Sequence, residues 1–248
     1  MTNKKELVLL FSGGIDSTYT VTLMQEEWNK IYLITYDRFG FLNTSNSKRS
    51  ASDLKKRFGE EKFTHRIINI DKLFRKISYE SYLKDVFRYK LFLLSTCGLC
   101  KLAMHWQTII YCLENKVFNV CDGSNREMGT DPSQNEMILE EMKKLYKEFQ
   151  INYFSPAFYD SREKREKTLF DLGLSPVQHP KWTRFSLERQ PFCTQERLFL
   201  IFFEYAHTNL KGQYVNDKIY RYEKRLIEFH REKMNFIRKQ IYRYIKKT

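Results

Sequence analysis

Two groups of residues have the types and spacing that chemistry needs. The first is the string Ser12-Gly13-Gly14-Ile15-Asp16-Ser17-Thr18. Adjacent glycines let a backbone approach a phosphate with no side chain between them. A helix that opens there offers free N–H groups and a dipole that favours anions. Ser12, Ser17 and Thr18 add hydroxyl donors. No Gly-Lys-Ser/Thr follows, which excludes a Walker loop. The same string also suits a plain strand-to-helix turn with capping serines, Asp16 being a first-turn acid. The second group is sulfur: Cys97-Gly98-Leu99-Cys100, then Cys193 within Gln190-Pro191-Phe192-Cys193. One CxxC is compatible with zinc, with redox chemistry or with neither. The other cysteines, Cys112 and Cys121, fall in apolar stretches and read as buried structural residues. Five cysteines make an odd count, and in a reducing compartment disulfides explain them poorly.

Strands must alternate with helices to position these groups. The pattern predicts strands over Glu6–Phe11, Ile31–Tyr36, Thr64–Ile70, Val117–Cys121 and Asn152–Ser155. Between and after them it predicts helices over Asp16–Trp28, Ser47–Phe58, Lys101–Asn115, Asn135–Phe149 and Ser161–Leu172. Such alternation argues for an α/β fold with a doubly wound parallel sheet. Ligands in these sheets sit at the carboxyl ends of the strands, and Ser12–Thr18 follows the first strand.

The Ser12–Thr18 string resembles the SGGxDS motif of the PP-loop family, the N-type ATP pyrophosphatases, which are adenine nucleotide alpha hydrolase-like. The resemblance covers roughly residues 5 to 175 and implies a HUP-like domain over 1–175. It implies an ATP site at Ser12, Gly13, Gly14, Asp16, Ser17 and Thr18. Asp37 stands where family members hold the adenine edge. Cys121-Asp122-Gly123-Ser124-Asn125 looks like the family's DG(S/T)N loop at the nucleotide, so Ser124 joins the ATP site and Asp122 becomes a catalytic residue and Mg²⁺ ligand. Ser161-Arg162 with Arg165, before Leu172-Gly173-Leu174, resembles the family's later basic helix start, which gives Arg162 a phosphate. The three cysteines Cys97, Cys100 and Cys193 resemble the sulfur-handling branch, whose members carry a [4Fe-4S] cluster with one iron open to sulfide. This implies an adenylating sulfurtransferase. ATP activates a carbonyl oxygen, sulfur replaces it, and AMP and pyrophosphate leave.

The substrate is left open. The terminal zinc cluster of the deazaguanine synthases is absent from the sequence. The RNA-binding module usual in tRNA thiolases is not evident, which favours a small molecule or nucleobase over tRNA and calls for a separate sulfur donor. A ligase using ammonia or an amine, a desulfurase running the reaction in reverse, and a nucleotide sensor without catalysis are the alternatives. The net charge of +13 suits a polyanion or phosphates, or is a lysine-rich bias alone. Residues 176–248 read as a helical C-terminal region that carries Cys193. From Lys211 onward, 12 lysines and arginines face four acids, and Ile227, Met234, Ile237, Ile241 and Ile245 recur at helical spacing. That helix packs on the core, forms a homodimer contact or meets RNA, with tyrosines available for stacking. Leu198–Phe203 is apolar but too short to cross a membrane. With no export signal in the first strand, the expected compartment is cytoplasmic.

Overall fold

The computed structural model describes residues 5–89, 98–128, 134–176, 189–194 and 213–247, and of 213–224 the backbone alone. In chain order the elements are β1 (Glu6–Leu10), α1 (Ile15–Met24), β2 (Lys30–Asp37), β3 (Phe41–Leu42), α2 (Ser47–Phe58), β4 (Phe63–Asn69), α3 (Asp71–Ser78), α4 (Tyr82–Tyr89), α5 (Leu99–Asn115), β5 (Asn119–Asp122), α6 (Glu136–Glu148), β6 (Asn152–Phe154), α7 (Arg162–Asp171), β7 (Phe192–Cys193) and α8 (Gln213–Ile245). Five strands form one sheet in the order β4-β2-β1-β5-β6, and every pairing in it is parallel. The fold is therefore α/β and doubly wound, as the alternation predicts. The chain leaves β1 toward β2 and β4, then returns to the other side of β1 for β5 and β6. The crevice between the carboxyl ends of β1 and β5 is the switch point of this topology.

Side chains alternate across a strand, so each strand of the sheet feeds two cores. Leu7 and Leu9 of β1, with Ile31 and Leu33 of β2, pack under Tyr19 and Val21 of α1, Leu54 of α2 and Leu169 of α7. Val8, Leu10 and Ile34 point the other way, into Phe74 of α3, Trp106 and Ile109 of α5, and Met142 and Leu145 of α6. The apolar stripe of α8 closes this second face: Leu226, Ile227, Phe229, Met234, Ile237 and Ile241 are all buried in the same core. Ile245 is not. It is 42% exposed, because α8 runs past the layer it covers.

The helix predicted to reach Trp28 ends at Met24. There Glu27 N–H turns back to the Met24 carbonyl at 3.2 Å and Asn29 N–H reaches Lys5 at 2.9 Å. Helices α3 and α4 and the small antiparallel pair β3–β7 were not apparent in the strand and helix pattern. Cys97, Arg184, residues 177–183 and Leu198–Phe203 lie outside the described residues. No helix among the described residues is long and apolar enough to cross a membrane.

Candidate nucleotide and sulfur site

The turn after β1 is built from its own polar atoms. Ser17 Oγ donates to the Gly14 carbonyl at 3.2 Å and accepts the Gly13 N–H at 3.1 Å. A hydroxyl has one proton, so the 3.1 Å contact between Ser12 Oγ and Ser17 Oγ has Ser12 as donor. Ser12 Oγ also accepts the Gly14 N–H at 3.2 Å. Both serines thus shape the loop. Thr18 differs: its Oγ1 is buried and has no hydrogen-bond partner among the described residues. A buried donor left unpaired costs free energy unless a ligand satisfies it. The amino end of α1 has no side-chain cap either. Gly13 has φ +82°, a left-handed conformation that only glycine adopts without strain, and Ser47 Cα lies 2.9 Å from where a Cβ would stand.

Asp16 of this turn points at α7. Its Oδ1 lies 2.8 Å from Nε of Arg165, which is 3% exposed. Arg165 also pairs with Glu127 at 2.8 Å and donates to the Asp160 carbonyl. Burial lifts the Asp16 carboxyl above its ordinary range, against the pull of Arg165 and Arg162. Arg162, to which the resemblance gives a phosphate, pairs with Glu166 at 2.6 Å, and its backbone N–H donates to Glu127 at 3.0 Å. Arg165 is the arginine joined to the turn.

The loop after β5 closes the other wall of the crevice. A Cβ on Gly123 would sit 2.8 Å from the Asp16 carbonyl carbon and 2.8 Å from Ser17 N, so glycine alone lets this loop press on the first turn of α1. Asp122 is buried and fully engaged. Its Oδ1 accepts Ser155 Oγ at 2.7 Å and Ser124 N–H at 3.2 Å, and its Oδ2 accepts Ser124 Oγ at 2.7 Å and lies 3.0 Å from Lys101 Nζ. Burial pushes this carboxyl up, but Lys101 and the two serine hydroxyls outweigh it and hold it well below the usual carboxylate range. Asp122 is therefore an anion, the right chemistry for Mg²⁺, with the Lys101 ammonium in the cation position. Strand register explains Ser155: Phe154 of β6 pairs with Cys121 of β5, so the next residues stand side by side.

Sulfur reaches the same edge of the sheet from two directions. Gly98, at φ +80°, caps α5, so Cys100 falls in its first turn beside Lys101. Cys193 arrives on β7, which pairs with Phe41 just beyond the end of β2. Its Sγ is 3.5 Å from Nη2 of Arg38. Arg38 is 3% exposed, with its guanidinium 4.4 Å from the Phe41 ring centre and 4.2 Å from that of Phe74. A buried guanidinium beside sulfur suits a thiolate ligand. Next to it, Asp37 accepts Thr44 Oγ1 at 2.6 Å at the carboxyl end of β2. Among the described residues no three His, Cys, Asp or Glu side chains form a metal site, and Cys97 is not among them. Cys112 and Cys121 are fully buried, as their apolar stretches predict. Burial pushes the Cys112 thiol up to about 12 and Cys121 well above its ordinary value. His105 belongs to the core, where its Nδ1 lies 2.9 Å from the Tyr146 hydroxyl.

No family model matches the chain, and no curated protein sequence matches it. Solved structures do. The chain is similar to the U34-tRNA thiolase NcsA from Methanococcus maripaludis with its [4Fe-4S] cluster, at 11% identity and TM-score 0.46, over 94% of this chain and 74% of that one. It is similar to a predicted subunit of tRNA methyltransferase from Methanocaldococcus jannaschii, at 16% identity and TM-score 0.43, over 77% and 96%. It is also similar to a 4-thiouridine synthetase in an RNA complex with bound ATP, at 14% identity and TM-score 0.48, over 93% of this chain and 53% of that one. Likeness at this level assigns no residue a role.

Arg38 and Ser155 did not emerge from the motifs. The register of β5 and β6 could have found Ser155. Arg38 directly follows Asp37, but its contact with Cys193 spans 155 residues, and no local pattern encodes that.

Proposed function

We propose that this chain is a PP-loop ATP pyrophosphatase that adenylates a carbonyl oxygen of its substrate and replaces that oxygen with sulfur. The carrying observation is the crevice between β1 and β5. A helix start with no side-chain cap, a buried Thr18 hydroxyl with no hydrogen-bond partner among the described residues, and a loop held against them through Gly123 together suit an anion cradle at the switch point. In this reading the N–H groups at the start of α1 and the Thr18 hydroxyl hold the phosphates. Asp37 marks the adenine side, and Asp122 would hold Mg²⁺ in the position that the Lys101 ammonium takes. The substrate oxygen attacks the α-phosphorus and pyrophosphate leaves. Hydrosulfide then adds to the activated carbon, the C–O bond to AMP breaks as AMP departs, and loss of the sulfur proton leaves a thiocarbonyl. A [4Fe-4S] cluster on Cys97, Cys100 and Cys193 would supply an iron site for sulfide. Arg38 positions Cys193 for that duty, and Cys100 is fixed by the start of α5.

The substrate class is a nucleobase or similar small carbonyl compound. Placing that nucleobase within tRNA is the second reading. It is favoured by the exposed Lys48, Arg49, Lys56 and Arg57 of α2, a helix whose first residue borders Gly13. Salt separates the two: polynucleotide binding weakens steeply as salt rises, through counterion release, whereas a neutral nucleobase is indifferent to it.

Substitution of the cysteines tests the sulfur half of the proposal. Cys193→Ser is expected to keep ATP binding, lose iron and sulfide from anaerobically purified protein, and form no thiocarbonyl product. An undiminished reaction in Cys100→Ser and Cys193→Ser would assign the chemistry to ammonia or an amine instead.

A further inference from the structure

The stretch 189–194 touches both halves of the site. Arg189 is tied to Asp53 of α2 at 2.6 Å, and its carbonyl oxygen stands where a side chain on Gly13 would go. Gln190 Oε1 stands where a Cβ on Gly14 would go. Three residues later, Cys193 pairs with Phe41 and its sulfur meets Arg38, and Thr194 N–H donates to the Gly40 carbonyl at 3.2 Å. Gly14 caps the amino end of α1. The amide oxygen of Gln190 carries partial negative charge, which that helix end attracts. In the ATP site proposed above, that face of Gly14 is where the phosphates approach, and a phosphate carries more charge than an amide oxygen.

We propose that Gln190 competes with the phosphates of ATP for the amino end of α1, so that nucleotide binding displaces the strand that carries Cys193. This rests on the ATP site proposed above. It assigns the third-cysteine segment a role in the nucleotide half of the reaction. Sulfur would be repositioned only when a nucleotide is bound, which keeps the sulfur step behind the adenylation step. The rest of the turn is locked by Ser12, Ser17 and Ser50, whose Oγ donates to the Gly13 carbonyl at 2.8 Å.

The test titrates α,β-methylene-ATP, which resists cleavage between those phosphates, into the full-length chain. Wild type, Gln190→Ala and Asp53→Asn are compared, and hydrogen–deuterium exchange is read across 189–194. The analogue should bind wild type and raise exchange in that segment. Gln190→Ala should bind it about three- to tenfold more tightly, the effect of one hydrogen-bond-sized interaction removed. Asp53→Asn, which removes the ion pair that ties Arg189 to α2, should shift affinity the same way. Unchanged affinity in both variants with unchanged exchange would overturn the competition while the ATP site stands. Weaker binding by Gln190→Ala would make Gln190 a phosphate contact and also overturn it. No binding by wild type or either variant would remove the ATP site itself.

Discussion

Thr18 carries the sharpest prediction at the scale of a residue. Its hydroxyl is buried with no hydrogen-bond partner among the described residues, so replacing it with a methyl group removes an unsatisfied donor. Thr18→Val should leave thermal stability unchanged or slightly raised, while ATP affinity falls by about 0.5–1.5 kcal/mol, the usual net worth of one hydrogen bond. Calorimetric titration and a melting curve on the same sample read both. A loss of stability with no loss of affinity would make Thr18 a packing residue. Ser12 and Ser17 predict the opposite balance. Their hydroxyls bond to the turn itself, so alanine there should cost stability before it costs affinity.

At the scale of elements, acid response follows from two imidazoles, one half-buried and one buried. His65 on β4 lies 2.8 Å from Thr35 Oγ1, and His105 on α5 lies beside Tyr146. Burial, with Lys48 and Lys55 adding repulsion for His65, lowers His65 to about 4 and His105 to about 3, from an ordinary value of 6.5. The unfolded chain therefore takes up these protons first. Stability present at neutral pH is lost as pH falls from 6.5 through 4 toward 3. Melting temperature should drop over that window, and its slope should be shallower in His65→Asn/His105→Asn; an equal slope would contradict the assignment. The elements themselves were largely legible. Strand Thr64–Ile70 was expected and Phe63–Asn69 is found; helix Ser47–Phe58 matches at both ends. A short run rich in β-branched residues and a helix with one buried stripe leave readable signals. The pair β3–β7 left none, because each strand is two residues long and its partner lies some 150 residues away.

For the whole molecule, α8 is part of the core. Its six buried apolar side chains, at roughly 1.5–3 kcal/mol each, represent about as much free energy as the net stability of a typical domain. A chain truncated after residue 212 should lose cooperative unfolding by circular dichroism; a truncated chain that still melts sharply would show that α8 is dispensable. The same packing bears on its charge. Arg231 pairs with Glu141 at 3.2 Å and Arg238 with Glu148 at 2.6 Å, so part of the basic excess holds the helix to α6. The motifs placed Ser12–Thr18 and Asp122–Ser124 at one edge of the sheet, since each stands at the end of a strand of one parallel sheet. What joins them was out of reach: the fit of Gly123 to α1, the Asp16–Arg165 pair and Arg38 under Cys193 are all contacts between distant segments.

The central claim is that ATP binds at the turn after β1 and is cut between its α- and β-phosphates. Phosphorus NMR on ATP mixed anaerobically with stoichiometric full-length protein, Mg²⁺, sulfide and a pool of nucleobases and tRNA reads this directly. Broadened ATP resonances in wild type, weakened in Thr18→Val, followed by growth of AMP and pyrophosphate, are the predicted result. ADP and inorganic phosphate as products, or ATP resonances that stay sharp, would contradict it.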